Sequence, residues 1–238
     1  MRTEREDYTR DGAAILRRAV PAAAAEALVP TARAVIVAAL DEAADTGFPP
    51  NLKQIWRREP IFERLAFASG LARLVGDVIG SNSLTLLIDQ LWTKAPRSRQ
   101  RTRWHYDEAA WPVSGEMLPS IWIALTPIAA ENCLRFVAGS HRAPATEGFT
   151  DYDEPAQAEG ARFLAWDMAP GDAILFHPRA YHGCHGNSAD ERRIAYTLRC
   201  AGDDIRYDPA RDYIDEGLSF TGCRAGGPLD GPAFPKVL

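Results

Sequence analysis

Gly80 divides the chain into two textures, and this division limits the fold more than any other feature. Before it, residues 13–44 hold 14 alanines and no glycine. Alanine is the best helix former, so the stretch reads as helical. Pro30 lacks a backbone donor and clashes with the preceding turn. The reading therefore places one helix at about 21–29 and another at about 31–45, with Gly47 near the stop. Two more helices are expected at Pro60–Ala68 and Leu71–Ile79, the last with Ser69 as its N-cap. After Gly80, four segments read as strands: Ser83–Trp92, Ser120–Pro127, Asp172–His177 and Arg193–Arg199. Helices first and strands later predict an α+β protein, with helices flanking a β-sandwich or barrel. The Gly- and Pro-rich tail, Gly202–Leu238, is expected to wrap the barrel.

Composition narrows the partners. The chain has 238 residues, with 27 Lys plus Arg against 32 Asp plus Glu, a net charge of −5. An acidic balance argues against a general nucleic-acid binder, which would show a basic excess. The longest wholly apolar run read from the sequence, Ala34–Leu40, is far short of the roughly 20 residues that span a bilayer. The first seven residues carry both signs of charge and no secretory hydrophobic region. The four cysteines form no CxxC pair. These features predict a cytoplasmic protein with reduced thiols, no nucleic-acid partner and no membrane.

The chemistry is concentrated in few residues. In Trp104-His105-Tyr106-Asp107, a strand would point His105 and Asp107 to one face and Tyr106 to the other. One histidine from a distant strand would complete a two-His, one-carboxylate face, which leaves metal positions open and suits non-haem Fe(II) oxygenases. An HxD alone is common by chance, and a surface ion pair gives the same pattern. A second pattern carries more weight. It runs from Gly171 through an apolar strand to His177, His182 and His185, then through a polar loop to Arg192, Arg193 and a returning strand.

Together these segments resemble the phytanoyl-CoA dioxygenase (PhyH) family of Fe(II)- and 2-oxoglutarate-dependent oxygenases. The matching segments are Trp104–Asp107, Trp122–Leu125, Glu131–His141 and Gly171–Arg199. The resemblance implies a double-stranded β-helix (jelly-roll, cupin-like) core with N-terminal helices around it. It implies one domain over residues 1–238: a helical support at about 1–80, the core at about 81–200 and a tail at about 201–238. It also implies that His105, Asp107 and His182 ligate iron and that Arg193, eleven residues after His182, holds the distal carboxylate of 2-oxoglutarate. Gln90 and Trp122 match positions that contact the cosubstrate. His177 and His141 read as core and turn residues, His185 competes as a ligand, and Cys184 reads as a small buried residue. Lys94 receives no role.

The chain departs from many relatives in carrying Tyr106 between the two proximal ligands and Cys133 after Asn132. Neither touches a proposed ligand, but both weaken any transfer of substrate. The implied reaction consumes 2-oxoglutarate and O2, yields succinate and carbon dioxide, and hydroxylates a small molecule. Epimerisation, desaturation or cyclisation would follow the same radical route. Related halogenases carry a small residue where Asp107 stands, which argues against halogenation. Five basic residues between Lys94 and Arg103 could form an electropositive mouth for an anionic substrate, or simply a solvated loop. A jelly-roll metal-binding or sensing protein without turnover is the alternative of another class, and it would have no need of Arg193.

Overall fold

Thr3 opens the first helix because it can cap it. Its hydroxyl accepts the Glu6 N–H, and the Glu6 carboxylate accepts the Thr3 N–H. The computed structural model describes residues 3–42, 51–143, 162–211, 213 and 217–238. Among them are four α-helices: α1 (Glu4–Asp11), α2 (Ala22–Glu42), α3 (Pro60–Ala68) and α4 (Leu71–Ile79). The strands are β1 (Ala13–Leu16), β2 (Asn51–Lys53), β3 (Thr85–Lys94), β4 (Thr102–His105), β5 (Val113–Ser114), β6 (Ser120–Ala124), β7 (Arg135–Val137), β8 (Phe163–Leu164), β9 (Ala173–Phe176), β10 (His182–Cys184), β11 (Arg193–Ala201) and β12 (Arg206–Tyr207).

The core is an α+β jelly roll. A six-stranded antiparallel sheet has the order β1-β9-β6-β11-β3-β2, and a four-stranded sheet has the order β4-β10-β7-β8. Trp122, Ala124, Ile174, Phe176 and Ala195 of the large sheet share one apolar cluster with Phe136 and Cys184 of the small one. The opposite face of the large sheet, with Ile121, Ile123, Ile194, Tyr196 and Leu198, packs against Leu28, Ile36, Phe62, Leu65 and Val75 of the helices. The large sheet is thus buried on both faces. Its strands therefore read as continuous apolar runs rather than alternating ones. The tail returns along β3, where Leu84 and Leu86 donate their N–H groups to the carbonyls of Leu238 and Pro235. Its Leu229 and Phe234 pack with Trp111, Val113 and Leu118.

Three local expectations are corrected. Ala13–Leu16, inside the alanine-rich stretch, is an edge strand paired with β9. Gly12 ends α1 at φ 79°, where a Cβ would lie 2.5 Å from His141 Nδ1, and the chain leaves this left-handed turn extended. Pairing with a partner strand then outweighs alanine's weak intrinsic preference. Pro30 does not break α2, which continues through it. Pro30 and Glu26, four residues earlier, are both exposed, so water can satisfy the carbonyl the proline leaves unpaired. Ala22–Leu40 is consequently one segment of mean hydropathy 1.6, apolar and long enough by composition and length to cross a membrane. In this fold its Ala25, Leu28, Ala32 and Ile36 enter the core beside the large sheet. Finally, Gly70 holds the N-cap position of α4, while Ser69 Oγ accepts the Leu71 N–H from one place earlier. The expected stop at Gly47 lies outside the described residues.

Beneath α1 two buried histidines face each other. The rings of His141 and His177 lie 5.2 Å apart, and Tyr8 covers His177 from the helix. His177 Nδ1 accepts the Arg179 N–H, so that nitrogen carries no proton. Burial, then His141 and Arg179, push the His177 pKa down to about 3. A histidine whose folded pKa lies below its unfolded value stabilises the fold above about pH 6.5 and loses that contribution as pH falls. Each such group costs up to about 1.4 kcal/mol per pH unit in that window. Through His177, urea unfolding of metal-free protein should therefore give a free energy about 2 kcal/mol lower at pH 5 than at pH 7. Replacing His177 with Gln should shrink the gap. Equal stability at both pH values would contradict a neutral buried His177.

Candidate metal centre

Strand register brings the two proposed histidine ligands together. His105 ends β4 and His182 begins β10, and the two residues are direct cross-strand partners. Their ring centroids are 4.2 Å apart. Gly183 allows this pairing from behind, because a Cβ there would meet the Trp104 ring at 2.9 Å. Each imidazole is oriented by its own chain. His105 Nδ1 donates to the Arg103 carbonyl at 2.7 Å, and His182 Nδ1 donates to the Ala180 carbonyl at 2.9 Å. In the neutral ring this leaves each Nε2 as the unprotonated acceptor that a metal requires.

Asp107 reaches the same point by a different route from the one expected. β4 stops at His105, and Asp107 sits in helical backbone (φ −73°, ψ −24°) at the head of the single turn Glu108–Ala110. A turn, not strand alternation, aims the carboxylate. Asp107 Oδ1 lies 3.5 Å from His105 Nε2 and 4.0 Å from His182 Nε2. The ligand atoms of the three residues fall within 4.8 Å of one another, and Asp107 and His182 are buried. Burial pushes the Asp107 carboxyl up, but Arg199 and the two histidines outweigh it and hold it well below the usual carboxylate range. Burial, with His105, pushes His182 down to about 3. The site therefore presents a neutral His182 imidazole beside the Asp107 anion.

The proposed cosubstrate residues line the interior of the large sheet. Gln90, Thr197 and Trp122 are register partners across β3, β11 and β6. Arg193 faces the same interior from the start of β11, with its guanidinium 5.5 Å from the Trp122 ring. Arg193 Nη1 donates to the Asn132 carbonyl at 2.6 Å and to Cys184 Sγ at 2.9 Å. Lys94, its partner on β3, is 2% exposed and donates to the carbonyls of Gln100 and His185. Burial pushes the Lys94 pKa down to about 8. Burial raises the Cys184 thiol, but Arg193 and Lys94 hold it below its ordinary value.

The residues present fit both groups that the fold suggests. Two imidazole nitrogens and one carboxylate oxygen suit iron and leave positions open. Arg193 Nε and Thr197 Oγ1 are buried with no hydrogen-bond partner among the described residues, so this interior holds unspent donors. Cys184, which touches Arg193, stands two residues beyond His182 on β10.

The other candidates sit elsewhere. His141 and His177 lie beneath α1, and His185 Nε2 lies 3.0 Å from Arg135 Nη1. Arg192 points away from the interior and donates to Thr93 Oγ1. Tyr106 packs at a tilt against Tyr181, 4.7 Å between centroids. The basic stretch is partly engaged: Lys94 is buried, and Arg97 pairs with Asp190 at 2.6 Å. Sequence reasoning missed Arg199 and Ser120, which bond the second oxygen of Asp107. A signal for Arg199 was present, since it stands six residues after Arg193 in one strand and so shares its face.

The family model for phytanoyl-CoA dioxygenase (PhyH) matches residues 8–195. Among curated proteins, the chain is 32% identical over 92 residues to dioxygenase lolE1 of Epichloe uncinata, covering 38% of this chain and 36% of that protein. It is 24% identical over 156 residues to a phytanoyl-CoA dioxygenase domain-containing protein 1 homolog of Caenorhabditis elegans, covering 59% and 54% respectively. The chain thus spans between about a third and about half of these relatives' lengths. Among solved structures, the non-heme alpha-ketoglutarate-dependent epimerase SnoN from nogalamycin biosynthesis superposes with a TM-score of 0.81 at 23% identity, covering 99% of this chain and 95% of that one. The carbocyclase SnoK from the same biosynthesis gives 0.76 at 22% identity, covering 99% and 95%. These likenesses place the fold.

Proposed function

The chain belongs to the phytanoyl-CoA dioxygenase family, and from that premise we propose that it is an Fe(II)- and 2-oxoglutarate-dependent oxygenase that hydroxylates a small molecule. The observation that carries the reading is the convergence of His105 Nε2, His182 Nε2 and Asp107 Oδ1, with both Nδ1 atoms already committed to carbonyls. His105, Asp107 and His182 would hold the iron. When bound, the iron with 2-oxoglutarate supplies O2 activation and the oxidation of a C–H bond.

The protein's part is binding, orientation and exclusion of water. Arg193 would pair with the distal carboxylate of 2-oxoglutarate, exchanging its contacts to Cys184 and Asn132 for a charge-assisted pair. Trp122 would pack on the methylenes, and Gln90 would offer its amide. Phe136 and Phe176, with ring centroids 5.4 and 4.9 Å from His182, form a dry wall against that imidazole. A dry wall strengthens each electrostatic contact in front of it. The rim beside Asp107 carries both signs of charge, in the pairs Arg179–Glu116 at 2.7 Å and Arg211–Glu108 at 3.5 Å. An anionic substrate would draw instead on the 94–103 stretch.

Anaerobic addition of Fe(II) and 2-oxoglutarate should give a weak visible charge-transfer band. A screen of neutral and anionic small molecules should then find one that drives succinate formation and gains an oxygen atom. A product of unchanged mass would assign epimerisation, and loss of two hydrogens would assign desaturation or cyclisation. Bound iron with neither band nor succinate would favour the metal-binding protein without turnover.

A further inference from the structure

Arg199 and Ser120 face each other across β11 and β6, and both reach the same oxygen. Asp107 Oδ2 accepts Arg199 Nη2 at 2.9 Å, Arg199 Nε at 3.2 Å and Ser120 Oγ at 3.1 Å. Asp107 Oδ1 takes none of these bonds and lies toward the two imidazoles. An arginine that only neutralised a carboxylate would do so best fork to fork, with one N–H on each oxygen. Here both N–H groups fall on one oxygen. The guanidinium is itself held, because its Nη1 donates to Gln90 Oε1 and its carbon lies 5.7 Å from the Trp111 ring. Arg199 is 7% exposed and Ser120 1%, so water does not compete for these bonds.

We propose that Arg199, seconded by Ser120, is a positioning residue that ties down one oxygen of Asp107 so that the carboxylate offers the metal a single donor. The proposal rests on the reading of His105, Asp107 and His182 as the metal ligands. A carboxylate that presents one oxygen takes one coordination position, and one that presents both takes two. The grip on Oδ2 thus protects the positions that a chelating cosubstrate and O2 need. Because the Arg199 Nη1 bond turns the Gln90 carbonyl toward the guanidinium, the same arginine also sets which end of that amide is left to the cosubstrate.

The test is Arg199→Lys, which keeps the positive charge and removes the two-point grip, so Coulombic repulsion of the metal stays nearly constant. Co(II) is the probe, read by calorimetry and by its visible ligand-field spectrum. Circular dichroism checks the fold. The Co(II) dissociation constant should rise about 10- to 100-fold, the usual cost of losing a partner that orients a ligand. The spectrum should change as well, because the carboxylate's coordination changes, and a purely structural role would leave it alone. Ser120→Ala should shift both readouts the same way by a smaller amount. A folded Arg199→Lys protein with the parent's Co(II) affinity and spectrum overturns the proposal. If that variant does not fold, unchanged affinity and spectrum in Ser120→Ala overturn it. Parent protein that fails to bind Co(II), or binding that survives His182→Ala, overturns the metal reading and the proposal with it. Unchanged binding in Arg199→Lys beside normal dependence on His182 overturns the proposal alone.

Discussion

Replacing Asp107 with Ala should both abolish metal binding and lower the unfolding free energy of the metal-free protein by about 3–5 kcal/mol. The second effect separates this ligand from the others. Asp107 is the counter-ion of Arg199, and both are buried. Deleting one member of a buried pair leaves an uncompensated charge, which costs far more than the pair contributes. For a domain of this size the loss corresponds to roughly 10 °C in melting temperature. His105→Gln makes the control. It removes a ligand that stands at the edge of the small sheet and breaks no ion pair to arginine, so its cost should be about 1 kcal/mol. Urea unfolding in the presence of a chelator measures both variants, and calorimetry with Fe(II) under anaerobic conditions confirms the loss of metal. An Asp107→Ala protein as stable as its parent would mean that Arg199 does not depend on this carboxylate.

Replacing Arg193 with Met should weaken 2-oxoglutarate binding by about 2–4 kcal/mol, or about 30- to 1000-fold, with metal affinity in its absence unchanged. Burial puts the guanidinium where a carboxylate pair is worth most, and Arg193 Nε has no partner among the described residues. The loss should appear as a rise in the 2-oxoglutarate concentration needed to develop the charge-transfer band. Arg193→Lys should recover only part of the affinity, since a point charge cannot make the two-point contact. Undiminished binding in Arg193→Met would move the anchor to Lys94, the other buried cation at this end of the barrel.

The parts of the fold legible in the sequence are those governed by local rules. The bounds of α3 and α4 emerge where propensity, Pro60 and Gly80 mark them. β3, β6, β9 and β11 emerge because both faces of the large sheet are buried and their sequences are continuously apolar. β1 was hidden because Ala13 and Ala14 carry no strand signal of their own, and only β9 gives them a reason to extend. The expectation of two helices separated at Pro30 fails because the rule against interior proline assumes that the freed carbonyl has no other partner. On an exposed face water supplies one.

The candidate site shows the same boundary more sharply. The sequence alone determined which chemical groups are available: two histidines and an aspartate in the right order, and an arginine eleven residues after the second histidine. Tertiary structure decided how they meet. His182 faces His105 because β10 pairs with β4 in one register, and a slip by one residue would turn it to the other face. Asp107 joins them through a turn, and its second oxygen is claimed by Ser120 from β6 and by Arg199 from β11, 92 residues away in the chain. Propensity and period act over a few residues, so they can name a ligand. Register and burial are set by contacts between distant segments, so only the folded chain can aim one.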